Sequence, residues 1–171
     1  MIAIIVSSRD FRDEEYFISL DIFSGHDKVV TFSDQKGLII GTEGGEAEAD
    51  KTIKELNVKD FSVIVFVGGP GCLKYLDNEE SYRIAREAEG ILAAICISPL
   101  ILAKAGVLSG VNATVWSSSM ERAPLRVFKD YGVIYKDEAV VRDGLIVTAN
   151  GPGATEDFAN LVLLTKKEKQ L

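Results

Sequence analysis

Cysteine is scarce in this chain: 171 residues contain only Cys72 and Cys96. Two thiols cannot build the disulfide framework of a small secreted domain, and they suit a reducing compartment, so a cytoplasmic location is expected. A basic stripe is also missing. The net charge is −7, and the one lysine cluster is Lys166, Lys167 and Lys169 near the C-terminal end. Lysines there complement a helix C-terminus, and a nucleic-acid partner held through its phosphates is not expected. No apolar run approaches the ~20 residues of a membrane span, so no membrane partner is expected. The opening MIAIIVSS has neither a basic stretch nor a cleavage site, so it reads as a strand rather than a signal peptide. No repeat, low-complexity stretch or Pro/Ser-rich linker divides the sequence, and residues 1–171 read as a single domain.

What is present is an ordinary globular composition, 47% hydrophobic and 26% charged. A domain of about 150 residues buries roughly 68–70% of its unfolded surface, so no disulfide or metal is needed as a staple. Short apolar runs alternate with helical patterns. Residues 2–6, 61–67 and 91–95 are continuous apolar runs, as strands covered on both faces are. Residues 28–33 form a further strand. Tyr16, Phe17, Leu20 and Phe23 repeat at helical spacing over 14–23. Helices are predicted at 78–89, capped by Asn78 and stopped by Gly90, and at 98–105, 123–130 and 155–165. Residues 38–42 and the Gly-rich segment after them read as a hairpin or loop, and 51–56 as a helical turn. Short strands follow at 113–115, 133–135, 139–141 and 145–148, the last two joined by an Asp143-Gly144 turn. The pattern predicts an α/β fold: a mainly parallel twisted sheet with helices on both faces. Active residues of such sheets sit beyond the carboxyl ends of the strands, here at residues 7–15, 68–71 and 96–99.

The segment Ala94-Ile95-Cys96-Ile97-Ser98 places a cysteine where a buried strand turns into a helix. The small residues two before and two after it, Ala94 and Ser98, are what a nucleophile elbow requires. Such a turn strains the backbone and presents the side chain to the cleft. Unpaired N–H groups and the partial positive charge at a helix start favour a thiolate. An ordinary buried core cysteine is the alternative. Two backbone N–H groups are candidates for an oxyanion site: Ile97, one step past the nucleophile, and Gly69, in the Gly68-Gly69 loop that follows the neighbouring strand.

AAICISP, VIVFVGGPG and GLIVTANGPGATEDFA, in that order and at that spacing, resemble the ThiJ/PfpI superfamily nearly end to end. That group contains PfpI-type intracellular proteases and the parkinsonism-associated protein deglycase. The resemblance implies a flavodoxin-like sandwich, a nucleophile at Cys96 and an acid/base partner at Glu15, within Phe11-Arg12-Asp13-Glu14-Glu15. A carboxyl held beside a thiol should have a raised pKa and share its proton with the sulfur. The chain departs from the pattern at two positions. PfpI-type proteases carry histidine directly after the nucleophile; here Ile97 stands there, and the single histidine, His26, matches a structural loop position. The deglycase-like branch places a histidine on a later segment, where this chain has Trp116 and Ser117 to Ser119. Trp116 reads as core, Cys72 as passive, and Glu79 as a helix-start carboxylate.

The resemblance implies a cofactor-independent enzyme, with no metal, acting on a small reactive carbonyl or glycated adduct. It also implies assembly as a homodimer or larger homo-oligomer. Two further classes are weighed. One is a redox sensor or chaperone-like stress protein that uses oxidation of Cys96 to sulfinic acid. The other is a peptidase or amidase, which would lack a histidine to protonate its leaving group.

Overall fold

The computed structural model describes residues 1–170. In chain order its first elements are β1 (Ile2–Ile5), β2 (Arg9–Phe11), α1 (Asp13–Ser24), β3 (Val29–Ser33), β4 (Gly37–Gly41) and β5 (Glu46–Ala49). Next come β6 (Lys51–Thr52), β7 (Val63–Phe66), α2 (Cys72–Leu76), α3 (Glu79–Glu87), β8 (Ile91–Ile95) and α4 (Pro99–Lys104). The chain ends with β9 (Asn112–Ala113), α5 (Ala123–Asp130), β10 (Ile134–Tyr135), β11 (Val140–Asp143), β12 (Ile146–Ala149) and α6 (Thr155–Lys169).

A seven-stranded sheet runs in the order β11-β12-β8-β7-β1-β3-β6, parallel throughout except for the β11–β12 pair. The apolar runs sit at its centre because both of their faces are covered. Ile2, Ile4, Val63, Val65, Ile91 and Ala93 face one core, shared with Tyr16 and Phe23 of α1 and Phe158 and Val162 of α6. The alternate residues Ala3, Ile5, Ile64, Phe66, Leu92 and Ala94 face the other, with Ile84 of α3, Ile101 of α4 and Phe128 of α5. This is the flavodoxin-like α/β sandwich expected from the sequence. Among the described residues no helix is long and apolar enough to cross a membrane.

The differences from expectation are local. The expected hairpin forms from β4 and β5, and β2 joins it to make a second, three-stranded sheet. The segment predicted as a helical turn becomes the two-residue β6 followed by a 3₁₀ turn at Ile53–Glu55. Asp143 belongs to β11, paired with Ile146, so the turn residues are Gly144 and Leu145, one step later than predicted. Gly144 takes φ +59°, a conformation open to glycine, and the Asp143 side chain accepts the Asn112 backbone N–H at 2.8 Å, which holds it in the strand. Helix α6 extends to Lys169; Lys166 pairs with Asp27 at 2.7 Å and Lys169 donates to the Glu89 carbonyl at 2.9 Å. Asn78 caps α3 as predicted, accepting the Ser81 N–H at 3.1 Å.

Candidate active site

The carboxyl ends of β1, β7 and β8 converge on Cys96. Its backbone adopts φ +66°. For a residue with a Cβ that left-handed conformation costs roughly 1–2 kcal/mol, so the surroundings must enforce it. They do so from several sides. The Cys96 N–H donates to the Ala149 carbonyl and the Cys96 carbonyl accepts the Trp116 N–H, both at 2.8 Å. The buried Ser98 hydroxyl accepts the Ile95 N–H at 3.0 Å and lies 2.8 Å from the carbonyls of both Phe66 and Ile95. The small residue at 98 is therefore also a polar tie between β7 and the β8 corner.

Glu15 reaches the same point from the first turn of α1. It is fully buried. Its Oε2 accepts the Gly68 N–H at 2.9 Å, and Oε1 has no nitrogen or oxygen partner. Carboxyl and cysteine are close neighbours: a methyl group on Gly68 would lie 2.7 Å from Cys96 Cβ and 2.9 Å from Glu15 Oε2. The two side chains are close enough that each shifts the ionisation of the other. Burial raises the Glu15 pKa to about 7, against the opposing pull of the Cys96 thiol, the Gly68 N–H and the Arg12 charge. The direction matches the expectation, but burial, not the neighbouring sulfur, causes it.

The thiol departs from expectation. A thiolate-favouring helix start is predicted, yet burial and the Glu15 charge raise the Cys96 pKa. The backbone N–H groups of Ile97 and Gly69 pull the other way. α4 has only six residues, and at the bottom of a shielded corner desolvation outweighs the amides. Cysteine and carboxyl thus form a coupled pair in which ionisation of one resists ionisation of the other.

The start of α1 is braced. The Arg12 N–H donates to the Gly68 carbonyl at 3.1 Å. The Asp13 carboxylate accepts the N–H groups of Glu43 and Gly45, each at 2.8 Å, and so ties the β4–β5 turn to the helix two residues before Glu15. Gly69 has φ +116°, and a Cβ there would fall 2.3 Å from the Arg12 nitrogen, so this position requires glycine.

A cleft of about 220 Å³ opens above the sulfur, lined by Arg12, Gly69, Pro70, Leu73, Cys96, Ile97 and Trp116. The structure therefore brings together Cys96, Gly69 and Ile97, as the elbow pattern suggests, and Glu15, as the family resemblance implies. Trp116, expected in the core, is half-buried and lines the cleft. Cys72 is fully buried at the first position of α2, outside the cleft wall. His26 is exposed in the turn between α1 and β3, at the amino end of the strands, and Glu79 is 85% exposed on α3, 3.9 Å from Arg86. Arg12 and Leu73 carry no motif signal for a place in the wall. The sign at Arg12 is a helix N-cap position occupied by a residue that cannot cap. Among the described residues no group of three His, Cys, Asp or Glu side chains is placed to hold a metal ion.

Fold and corner together define a flavodoxin-like protein with a cysteine on a nucleophile elbow. The DJ-1/PfpI family profile matches residues 1–165, and the chain belongs to that family. It is 36% identical to an uncharacterised protein of Methanocaldococcus jannaschii over 94% of this chain and 77% of the relative. It is 32% identical to the deglycase PfpI of Pyrococcus furiosus over 88% of this chain and 90% of the relative. Among solved structures, a ThiJ/PfpI domain protein from Brachyspira murdochii superposes with a TM-score of 0.91 at 33% identity, covering 98% of this chain and 96% of that one.

Proposed function

We propose that the protein is a cofactor-independent cysteine enzyme of the glyoxalase or deglycase kind, acting on small reactive carbonyls. The observation that carries this reading is the Glu15 carboxyl held against Cys96 beneath a small cleft whose wall also includes Gly69 and Ile97. The deglycase name of the Pyrococcus relative supports it.

The chemistry follows from the coupled pair. As the sulfur adds to the aldehyde carbon of a 2-oxoaldehyde, Glu15 takes the thiol proton and returns it to the new alkoxide, giving a hemithioacetal. Glu15 then removes the proton from that carbon and delivers one to the neighbouring carbonyl carbon, while the hydroxyl proton passes to that carbonyl's oxygen, leaving the thioester of a 2-hydroxy acid. Water hydrolyses the thioester to the hydroxy acid and restores the thiol. The amides of Ile97 and Gly69 stabilise the oxyanions formed on the way. A carboxyl with a pKa of about 7 is suited to this, because an acid/base catalyst works best near the operating pH. No histidine lines the cleft, so an amide leaving group would find no imidazole proton donor.

The test is conversion of methylglyoxal to lactate by the purified protein. Cys96→Ser should abolish turnover, and Glu15→Gln should lower it by about 10²–10⁴-fold, the usual worth of a positioned acid/base group. A protein that turns over no carbonyl while mild peroxide oxidises Cys96 would instead be a redox sensor.

A further inference from the structure

We infer that Arg12 makes the Cys96 cleft selective for a carbonyl compound that carries a carboxylate. This rests on the reading of Cys96 as the group that attacks the carbonyl.

Arg12 is the one charged side chain in the cleft wall. It occupies the N-cap of α1 with an extended backbone and makes no side-chain cap. Nothing in helix formation favours it there. A cap position calls for Ser, Thr, Asp or Asn, and a guanidinium opposes the positive end of the helix dipole. A residue that breaks a local rule without local return points to a role in the site. The guanidinium also forms no close ion pair among the described residues, although its charge is felt at the Glu15 carboxyl. Its Nε is shielded from water without a hydrogen-bond partner. The acidic residues beside it are committed or out of reach. Asp13 holds the β4–β5 turn, Glu15 holds the Gly68 N–H, and Glu14 has a shielded oxygen but forms no ion pair with Arg12.

Cys96 and Arg12 share one cleft of about 220 Å³. Liquid water takes about 30 Å³ per molecule, so the space admits a compound of only several heavy atoms. A carbonyl on the sulfur and an anion on the guanidinium must then be two ends of one small molecule. The remaining wall, Pro70, Leu73, Ile97 and Trp116, is largely apolar and strengthens a charge–charge contact. A planar carboxylate matches the fork of a guanidinium. The chain as a whole carries −7 and repels anions, so any preference for one must originate locally at Arg12. The substrate class is a short 2-oxoaldehyde with a carboxylate at its far end, which the proposed reaction converts with one water into a hydroxy-dicarboxylate.

The test separates anion recognition from turnover. Iodoacetate and iodoacetamide have nearly the same shape and undergo the same reaction, in which sulfur displaces iodide; only one is charged. Their rate constants at Cys96 are measured by mass spectrometry and divided, and the ratio is compared with that of N-acetylcysteine. The wild-type ratio should exceed the free-thiol ratio by about 10-fold or more, the scale of one charge-assisted hydrogen bond. Arg12→Gln should bring it down to the free-thiol value, and Arg12→Lys, which keeps charge without the fork, should fall between. Any change in thiol ionisation affects both reagents alike and cancels. A wild-type ratio no higher than that of N-acetylcysteine, or a high ratio that survives Arg12→Gln, overturns the inference. In parallel, kcat/KM for 4,5-dioxopentanoate is divided by that for the neutral 2-oxopentanal. Turnover of both without preference defeats the anion site and leaves the enzyme reading standing. Turnover of neither defeats the enzyme reading, and the alkylation ratio still decides the anion site.

Discussion

β7 and β8 lie side by side and both turn into a helix at their carboxyl ends, but they make the turn with different residues. After β7 the left-handed conformation falls on Gly69, at φ +116°; after β8 it falls on Cys96, at φ +66°. The first corner contributes a backbone N–H to the site, and glycine lets that backbone press against Arg12. The second contributes a side chain, which glycine would not have. Of these two corners, only the one that carries the sulfur places the left-handed conformation on a residue with a Cβ. The two cysteines make the same point. Both lie at or next to a helix start, yet Cys72 is sealed in the core and Cys96 lines the cleft. Position at a helix start does not by itself make a thiol available; the left-handed elbow does.

The largest expected effect contrasts the two thiols. Iodoacetamide should label Cys96 in the native protein at least about 10³-fold faster than Cys72, because a fully buried thiol reacts only through opening of the core. Equal labelling, followed by peptide mass spectrometry, would erase the contrast. Next is the glycine corner. Gly69→Ala places a Cβ 2.3 Å from the Arg12 nitrogen at positive φ, and should destabilise the fold by about 3 kcal/mol in urea unfolding and abolish carbonyl turnover.

The third concerns Glu15, which bridges the corners. Its pKa rises from 4.5 to about 7 on folding, so between those values the native state holds a proton that the unfolded chain has released. Stability should therefore fall as pH rises through this window, by up to about 3 kcal/mol from this one group. Glu15→Gln should remove that part of the pH dependence and be the more stable protein above pH 7. In the proposed reaction the carboxylate is the base, so kcat/KM should climb with pH through about 7. The smallest effect isolates the strain itself. Cys96→Gly should be about 1 kcal/mol more stable than Cys96→Ala, since the two differ mainly in tolerance of positive φ, and neither should turn over substrate.

Much of this was legible in the residues. The strands β1, β7 and β8 announce themselves as unbroken apolar runs, and the small residues at 94 and 98 mark the elbow without any fold knowledge. Glu15 is different: nothing in its spacing separates it from Asp13 and Glu14, and only the family resemblance singled it out. What stayed hidden depends on distant partners. β2 has three residues, two of them exposed, and exists because β4 lies beside it. The five residues of α2 are too few to show a period. Trp116 reaches the cleft because its N–H bonds to the Cys96 carbonyl from another part of the chain. Asp143-Gly144 announces a turn, but the pairing of β12 with β8 and the Asn112 contact set its register.

The β4–β5 turn looks like the most expendable part of the surface, rich in glycine and acid. Yet its amides at 43 and 45 are gripped by Asp13, and Cβ atoms on Gly41 or Gly45 would lie 2.4 Å from that carboxylate. An insertion or deletion there would loosen the start of α1 and shift Glu15, two residues on. Variation in loop length, which surface hairpins ordinarily absorb, would at this one reach the carboxyl beside Cys96.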